Sequence, residues 1–337
     1  MKLQHRLTLP AIALSLIAGS ASAQNLASRV SAAQKSGTPT WLVWSEPSAT
    51  DGDSCCWNSR DSRRNGVCSL AGQSDGINIS SSDTPSLSDR LNVYVHVDGD
   101  GVDRIRVFSN TCRVDRGTEP VEELANIAPA ESVSFLATLI KGSDDRPTKR
   151  RSDGALTAIA LHDHASADTV LERVAREGET KSLRHSAAFW LGNARERAGY
   201  DALVRLRASE DDKFREHLTF CFSQSGVPEA QKALIDMAKN DPAARVRGQA
   251  LFWIAQKAQN KSDADVIRNA VDNDPDAEIK KKAVFALSQI PHGEGVPDLI
   301  RVARDNRSHE VRKQAMFWLG QSKDPRALEF FESILSR

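Results

Sequence analysis

Neither sign of charge is in excess along this chain: 45 Lys and Arg stand against 45 Asp and Glu in 337 residues. That balance excludes the usual electrostatic footprint of a nucleic-acid binder or of a protein held on an anionic membrane surface. Long apolar runs are missing too. Beyond residues 7–18, nothing approaches the roughly 18 apolar residues that a spanning helix needs. Also absent are a Gly-x-Ser-x-Gly elbow, a His-Glu-x-x-His pair, a phosphate-binding loop and a dinucleotide fingerprint. The expectation is therefore a noncatalytic protein without metal or cofactor. His162 and His164 flank Asp163, but no third ligand is evident and the pair reads as plain surface. Asp98, Asp100 and Asp103 lack the spacing and distal glutamate of a calcium loop, so they read as a turn.

Cysteine is scarce and unevenly placed. Cys55, Cys56, Cys68 and Cys112 fall in the first part of the chain, and only Cys221 in the second. No Cys-x-x-Cys spacing points to zinc, and four cysteines suit two disulfides. A bridge between the neighbours Cys55 and Cys56 is strained, so each is expected to reach separately to Cys68 or Cys112, with the order open. Cys221 reads as a buried thiol. The redox reading agrees with the start of the chain. Lys2 and Arg6 precede an apolar stretch from Leu7 to Ala18, and Ala21-Ser22-Ala23 supplies the small residues of a cleavage site. Residues 1–23 thus read as a secretory signal peptide, predicting a periplasmic or secreted protein without membrane insertion.

Residues 24–141 read as a small disulfide-linked β-rich domain. TWLVW from Thr40, then LNVYVHV and VDRIRVF around the turn Asp98-Gly99-Asp100-Gly101, make a hairpin signal. Val93, Val95 and Val97 alternate with polar or amphipathic residues, predicting one buried face beneath Trp41 or Trp44. Ser132 to Ile140 reads as a closing helix, and residues 142–150, charged and carrying Gly and Pro, as a linker.

Residues 151–337 are dominated by one returning segment. LRHSAAFWLGN, FREHLTFCFSQ, VRGQALFWIAQ, IKKKAVFALSQ and VRKQAMFWLGQ begin at Leu183, Phe214, Val246, Ile279 and Val311, in steps of 31, 32, 33 and 32 residues. Such a period marks a solenoid, whose units are too small to bury an apolar face alone. With places numbered one to eleven, places one, five, eight and nine are apolar in nearly every unit, the stripe of an amphipathic helix. Second helices lie between, such as Glu229 to Lys239 and Val296 to Arg304, so each unit is a helical hairpin. A worn unit from Arg151 suits a stack end. Place two is a cation in all five units, and Asp241 and Asp274 stand six residues before Arg247 and Lys280, which predicts a carboxylate and cation ladder running along the stack. The predicted fold class is an α-solenoid preceded by the β-rich domain.

These units resemble HEAT repeats, specifically the short type of phycobilisome-lyase-like HEAT proteins, through the Asp-Pro turn followed by Val-Arg. The resemblance implies binding of a protein or peptide, with bilin attachment as in the lyase branch of that family as the alternative; export argues against the latter. One departure stands out. Place seven is Phe189, Phe220, Phe252, Phe285 and Phe317, where similar units carry a polar residue. It lies about 140° from the middle of the stripe and should point away from the core. Place eleven, on nearly the same side, is Asn193, Gln224, Gln256, Gln289 and Gln321. Together the two rows are candidate partner-binding residues, the rings supplying apolar area and the carboxamides pairing with backbone groups. Packing between repeats is the competing role for the phenylalanines. The tryptophans at place eight, Trp190, Trp253 and Trp318, read as core anchors, and a monomer is expected.

Overall fold

The computed structural model describes residues 25–50, 54–56, 67–72, 77–79, 89–143, 145–258 and 261–336. Residues 1–23, read above as a signal peptide, lie outside the described residues. No described helix is long and apolar enough to cross a membrane.

The front of the chain holds α1 (Leu26–Ser36), β1 (Thr40–Pro47), β2 (Ser54–Cys56), β3 (Cys68–Ser69), β4 (Ile77–Ile79), β5 (Arg90–Asp98), β6 (Gly101–Ser109), β7 (Val114–Asp115), β8 (Val121–Glu123) and α2 (Pro129–Thr138). The main sheet has the order β6-β5-β1-β8, with β1 antiparallel to β5 and parallel to β8. Its hairpin turns where Asp98 Oδ1 accepts the Asp100 amide at 2.9 Å and Gly101 adopts φ +113°, a conformation open to glycine. The alternation along β5 predicted one buried face; the structure buries both. Leu42, Trp44, Val93, Val95 and Val97 join the helical core, whereas Trp41, Val43, Tyr94 and Phe108 pack beneath Cys68 and Leu70. Cys55 and Cys112 form a disulfide, and Cys68 is disulfide-bonded as well. The side chain of Cys56 lies outside the described residues.

Part of the stretch read as linker is helical: α3 (Arg146–Leu161) begins inside it. Asp145 caps that helix by accepting the Thr148 amide at 2.8 Å, and Pro147 sits in the first turn, where its missing N–H goes unneeded. The worn first unit does stand at the end of the helical stack, and the sheet covers it. At Gly154 an added Cβ would stand 2.9 Å from the Ile105 carbonyl oxygen, so α3 rests directly on the backbone of β6. Backbone bonds reinforce the seam: Ala49 N donates to Leu161 O at 2.8 Å and Asp163 N to Pro47 O at 3.0 Å. One hydrophobic core therefore runs from the sheet through α3 to the far end of the stack.

His162, read as surface, is fully buried in this seam. Trp44 Nε1–H donates to Ser132 Oγ at 2.8 Å, Ser132 lies 2.8 Å from His162 Nε2, and His162 Nδ1 lies 2.6 Å from the Ala158 carbonyl. The carbonyl can only accept, so Nδ1 carries the proton and Ser132 donates to Nε2. Ser132 is fully buried, which makes this chain of bonds a structural tie with no path for a substrate.

The solenoid continues with α4 (Ala165–Glu177), α5 (Lys181–Ala194), α6 (Glu196–Leu206), α7 (Asp212–Gln224), α8 (Glu229–Asn240), α9 (Ala244–Gln256), α10 (Lys261–Asn273), α11 (Ala277–Ser288), α12 (Val296–Asp305), α13 (His309–Gln321) and α14 (Pro325–Leu335). Helices α5, α7, α9, α11 and α13 carry the five returning segments, and places one, five and nine are buried in every one. These helices touch each neighbour all along the stack, while the layer of α4, α6, α8, α10 and α12 meets more sparsely, so the stack curves toward the first layer. Close approach needs small residues: a Cβ on Gly192 would come within 2.2 Å of the Cys221 carbonyl oxygen. Cys221 itself is buried, and burial pushes its thiol up and out of reactive range.

The charge ladder runs along the stack, each rung bridging neighbouring units. Arg215 Nε and Nη2 hold Asp241 of the following unit at 3.0 and 3.1 Å, and Arg247 holds Asp274 at 2.9 and 2.9 Å. Each Asp also accepts the amide two residues on, Ala243 or Asp276, at 2.9 Å. Burial is the largest influence on Asp274 and would raise it, but the Arg247 hydrogen bond and charge, with the Asp276 amide and Lys280, together outweigh it and hold the carboxyl below the usual range. The sequence spacing of six residues instead brings Arg247 Nη1 to the Asp241 backbone carbonyl, at 3.1 Å.

Candidate functional site

Place seven faces away from the helical core on the inner, concave layer. Phe189, Phe220, Phe252 and Phe285 are half-buried, and Phe317 is 53% exposed. The rings do two things at once. Phe189 stacks on Phe220 with centroids 5.8 Å apart and planes 11° apart; Phe252 stacks on Phe285 at 6.0 Å and 9°. Each stack bridges adjacent units, yet leaves ring surface open on the concave side.

Trp190, Trp253 and Trp318, read as core anchors, are half-buried: they pack against the core and also join the same row. Trp253 packs on Phe220 at 5.1 Å and Trp318 on Phe285 at 4.9 Å. Within its own helix each tryptophan meets its neighbouring phenylalanine edge-on, at 5.3 Å for Trp190, 5.0 Å for Trp253 and 5.0 Å for Trp318. The row therefore repeats every two units: Phe189, Phe220 and Trp253 form one cluster, Phe252, Phe285 and Trp318 the next, and the contact of Trp253 with Phe252 joins them. Place eight reads Trp, Cys, Trp, Ala, Trp and place ten Gly, Ser, Ala, Ser, Gly, so this two-unit period is written in the sequence. At the front end a stacked His185–His217 pair, centroids 3.9 Å apart, extends the aromatic surface, with His217 5.9 Å from Phe220. Burial first, then the neighbouring His217, hold His185 down at about 4, so the pair is uncharged at neutral pH.

The carboxamides follow the same alternation. Gln224 donates to Ser223 Oγ and Gln289 to Ser288 Oγ, each at 3.1 Å, which leaves their oxygens free. Gln256 and Gln321, where place ten has no hydroxyl, are exposed and make no hydrogen bond to described residues. Toward the far end Gln289, Trp318 and Gln321 line a groove of about 410 Å³. Trp253 Nε1 and Trp318 Nε1 are buried atoms without an acceptor. Such a face offers ring surface beside paired donors and acceptors, the chemistry that an extended backbone with apolar side chains can use. No group of three or more His, Cys, Asp or Glu among the described residues could hold a metal.

No curated protein sequence matches the chain. Among solved structures it is similar to human deoxyhypusine hydroxylase in complex with glycerol, at 16% identity and TM-score 0.33, over 62% of this chain and 80% of that one. It is also similar to the complex of CpcE and CpcF of phycocyanin lyase from Nostoc sp. PCC7120, at 14% identity and TM-score 0.31, over 65% and 99%. A third is Kap121p, at 12% identity and TM-score 0.39, over 61% of this chain and 27% of that one. A family model for HEAT repeats matches residues 167–255 and 264–337. Those stretches are the stacked hairpins described above, and this part of the chain is accordingly built of HEAT repeats.

Proposed function

We propose that this protein is an exported, noncatalytic scaffold whose concave aromatic face grips an extended segment of a cell-envelope protein. The observation that carries the reading is the partly open row of stacked phenylalanines and tryptophans beside the unpaired carboxamides of Gln256 and Gln321. HEAT repeats support an interaction role, and the disulfide between Cys55 and Cys112 supports an oxidising compartment. The two-unit period gives the ligand a pattern. Stacked helices lie about 8–10 Å apart, so clusters recur about every 20 Å, or about six residues of extended chain at ~3.3 Å each. A bound segment should present apolar anchors at that spacing.

Affinity capture from envelope extract, with the intact chain and its Phe317→Ser, Gln321→Ala double variant, tests this. A partner retained by the wild type and lost by the equally stable variant is the expected result; identical recovery by both refutes the face. Incubation with a free tetrapyrrole should leave the chain uncoloured, and specific chromophore attachment would contradict a noncatalytic role.

A further inference from the structure

Each aromatic cluster has a border in the seam between its two stacked phenylalanine helices. Between α5 and α7, place three meets place four: His185 stacks on His217 at 3.9 Å, and His217 lies 5.9 Å from Phe220. Place four thus borders the aromatic row. Two units on, the same seam between α9 and α11 holds Gly248 and Lys282. A Cβ on Gly248 would stand 2.8 Å from Lys282 Cδ and 3.6 Å from its Nζ. The buried glycine is therefore the seat over which the lysine stem crosses from α11 to α9. Gly248 stands one turn before Phe252, and Lys282 one turn before Phe285, so the ammonium is held at the border of the second cluster.

The two borders differ in charge. Burial keeps the stacked histidines uncharged at neutral pH. Lys282 is exposed, and its ammonium meets no acceptor among the described residues. The acids nearby are engaged elsewhere: Arg245 holds Glu216 at 3.2 Å, and Lys281 holds Glu278 at 2.5 Å while Glu310 of α13 acts on that same ammonium. Lys313, at place three of α13, has the sign of Lys282. From α5 to α11, places three and four thus leave one unpaired charge among the described residues, and it is positive.

We propose that Lys282 reads charge on the concave face: a bound segment carries a carboxylate side chain within two residues of the apolar anchor that fills the Phe252, Phe285 and Trp318 cluster, with no such requirement at the Phe189, Phe220 and Trp253 cluster. The inference rests on the reading of that face as a grip for an extended segment, and adds what orders the segment along it. With apolar anchors alone, either anchor fits either cluster. One unpaired cation beside the second makes them unequal. Because the lysine is exposed, the contact governs selection more than strength.

The test uses the intact chain, Lys282→Met and Lys282→Glu, each selecting from a display library of random peptides long enough to span both clusters. The wild type should enrich peptides with two apolar residues about six positions apart and Asp or Glu beside one of them. Lys282→Met should keep the apolar spacing and lose the acid; Lys282→Glu should exchange the acid for Lys or Arg. By fluorescence anisotropy, a selected acidic peptide should bind Lys282→Met about fivefold more weakly at low ionic strength, a difference that salt erases. Gly248→Ala, which displaces the stem, should weaken it in the same direction, and Lys232→Met on the opposite layer should not. Melting temperatures establish that the variants are folded. Apolar spacing without an acid preference, or an acid preference that survives Lys282→Met, overturns the role of Lys282 and leaves the face standing. Enrichment without apolar spacing, or no enrichment, overturns the face and this inference with it.

Discussion

At the scale of single residues, the inter-unit arginines are the most exacting element. Removing one partner from a buried ion pair strands the other charge. Arg247→Ala should therefore cost about 3 kcal/mol in denaturant unfolding, because it leaves Asp274, 8% exposed, without its fork. Lys280 occupies the same place in the next unit but is bonded only to the Asp272 carbonyl, at 2.9 Å, and Lys280→Ala should stay within about 0.5 kcal/mol. Equal losses at the two positions would remove the ladder from the account. The seam carries two titrations of opposite sign. Burial, opposed by the charge of Arg90, raises the Glu46 carboxyl to about 7 from 4.5, so the folded chain holds a proton that the unfolded chain releases. Its stability contribution is full below pH 4.5 and is lost as pH rises toward about 7. Burial lowers His162 to about 4 from 6.5, so its contribution is full above pH 6.5 and is lost as pH falls toward about 4. Glu46→Gln removes the first and leaves the second. Stability measured from pH 7 to pH 4.5 should then fall more steeply in that variant than in the wild type, and an unchanged slope would count against the buried, protonated carboxyl.

At the scale of elements, each concave helix divides its faces between core and row. Phe285 is held on both sides, by Phe252 and by Trp318, whereas Phe317 packs only on its own tryptophan. Phe285→Ala should cost about 2 kcal/mol, and Phe317→Ala less than about 1 kcal/mol, as read by thermal melts of purified variants. The reverse order would mean that the row is not stacked between units. Helix period and hairpin units were legible because one amphipathic stripe recurs at fixed spacing. The phenylalanine row was legible as a departure from that stripe, but its pairing was not, because stacking depends on how neighbouring helices slide past each other. The tryptophans were legible as packing residues but not as members of the row: place eight lies at the margin of the stripe, where a large ring packs on the core and reaches out of it as well. The ladder was legible as charges recurring along the stack, but which aspartate each arginine grips was not, because that depends on how neighbouring units meet. His162 looked like surface since nothing local announces that β1 will cover it.

At the scale of the whole molecule, the sheet and the solenoid form one body. α3 is at once the first helix of the stack and the support of β6, so the seam at Gly154 and Ile105 transmits stability in both directions. That leaves a continuous concave face from α5 to α13, its front end backed by the sheet. The most direct test of this face as the binding surface is site-specific photo-crosslinking in envelope extract, with a benzophenone side chain placed at Gln256 or Gln321 and, as control, at Lys232 on α8 of the opposite layer. Crosslinks to the same partner from Gln256 and Gln321, with none from Lys232, are predicted. Crosslinks from Lys232 alone would contradict the account.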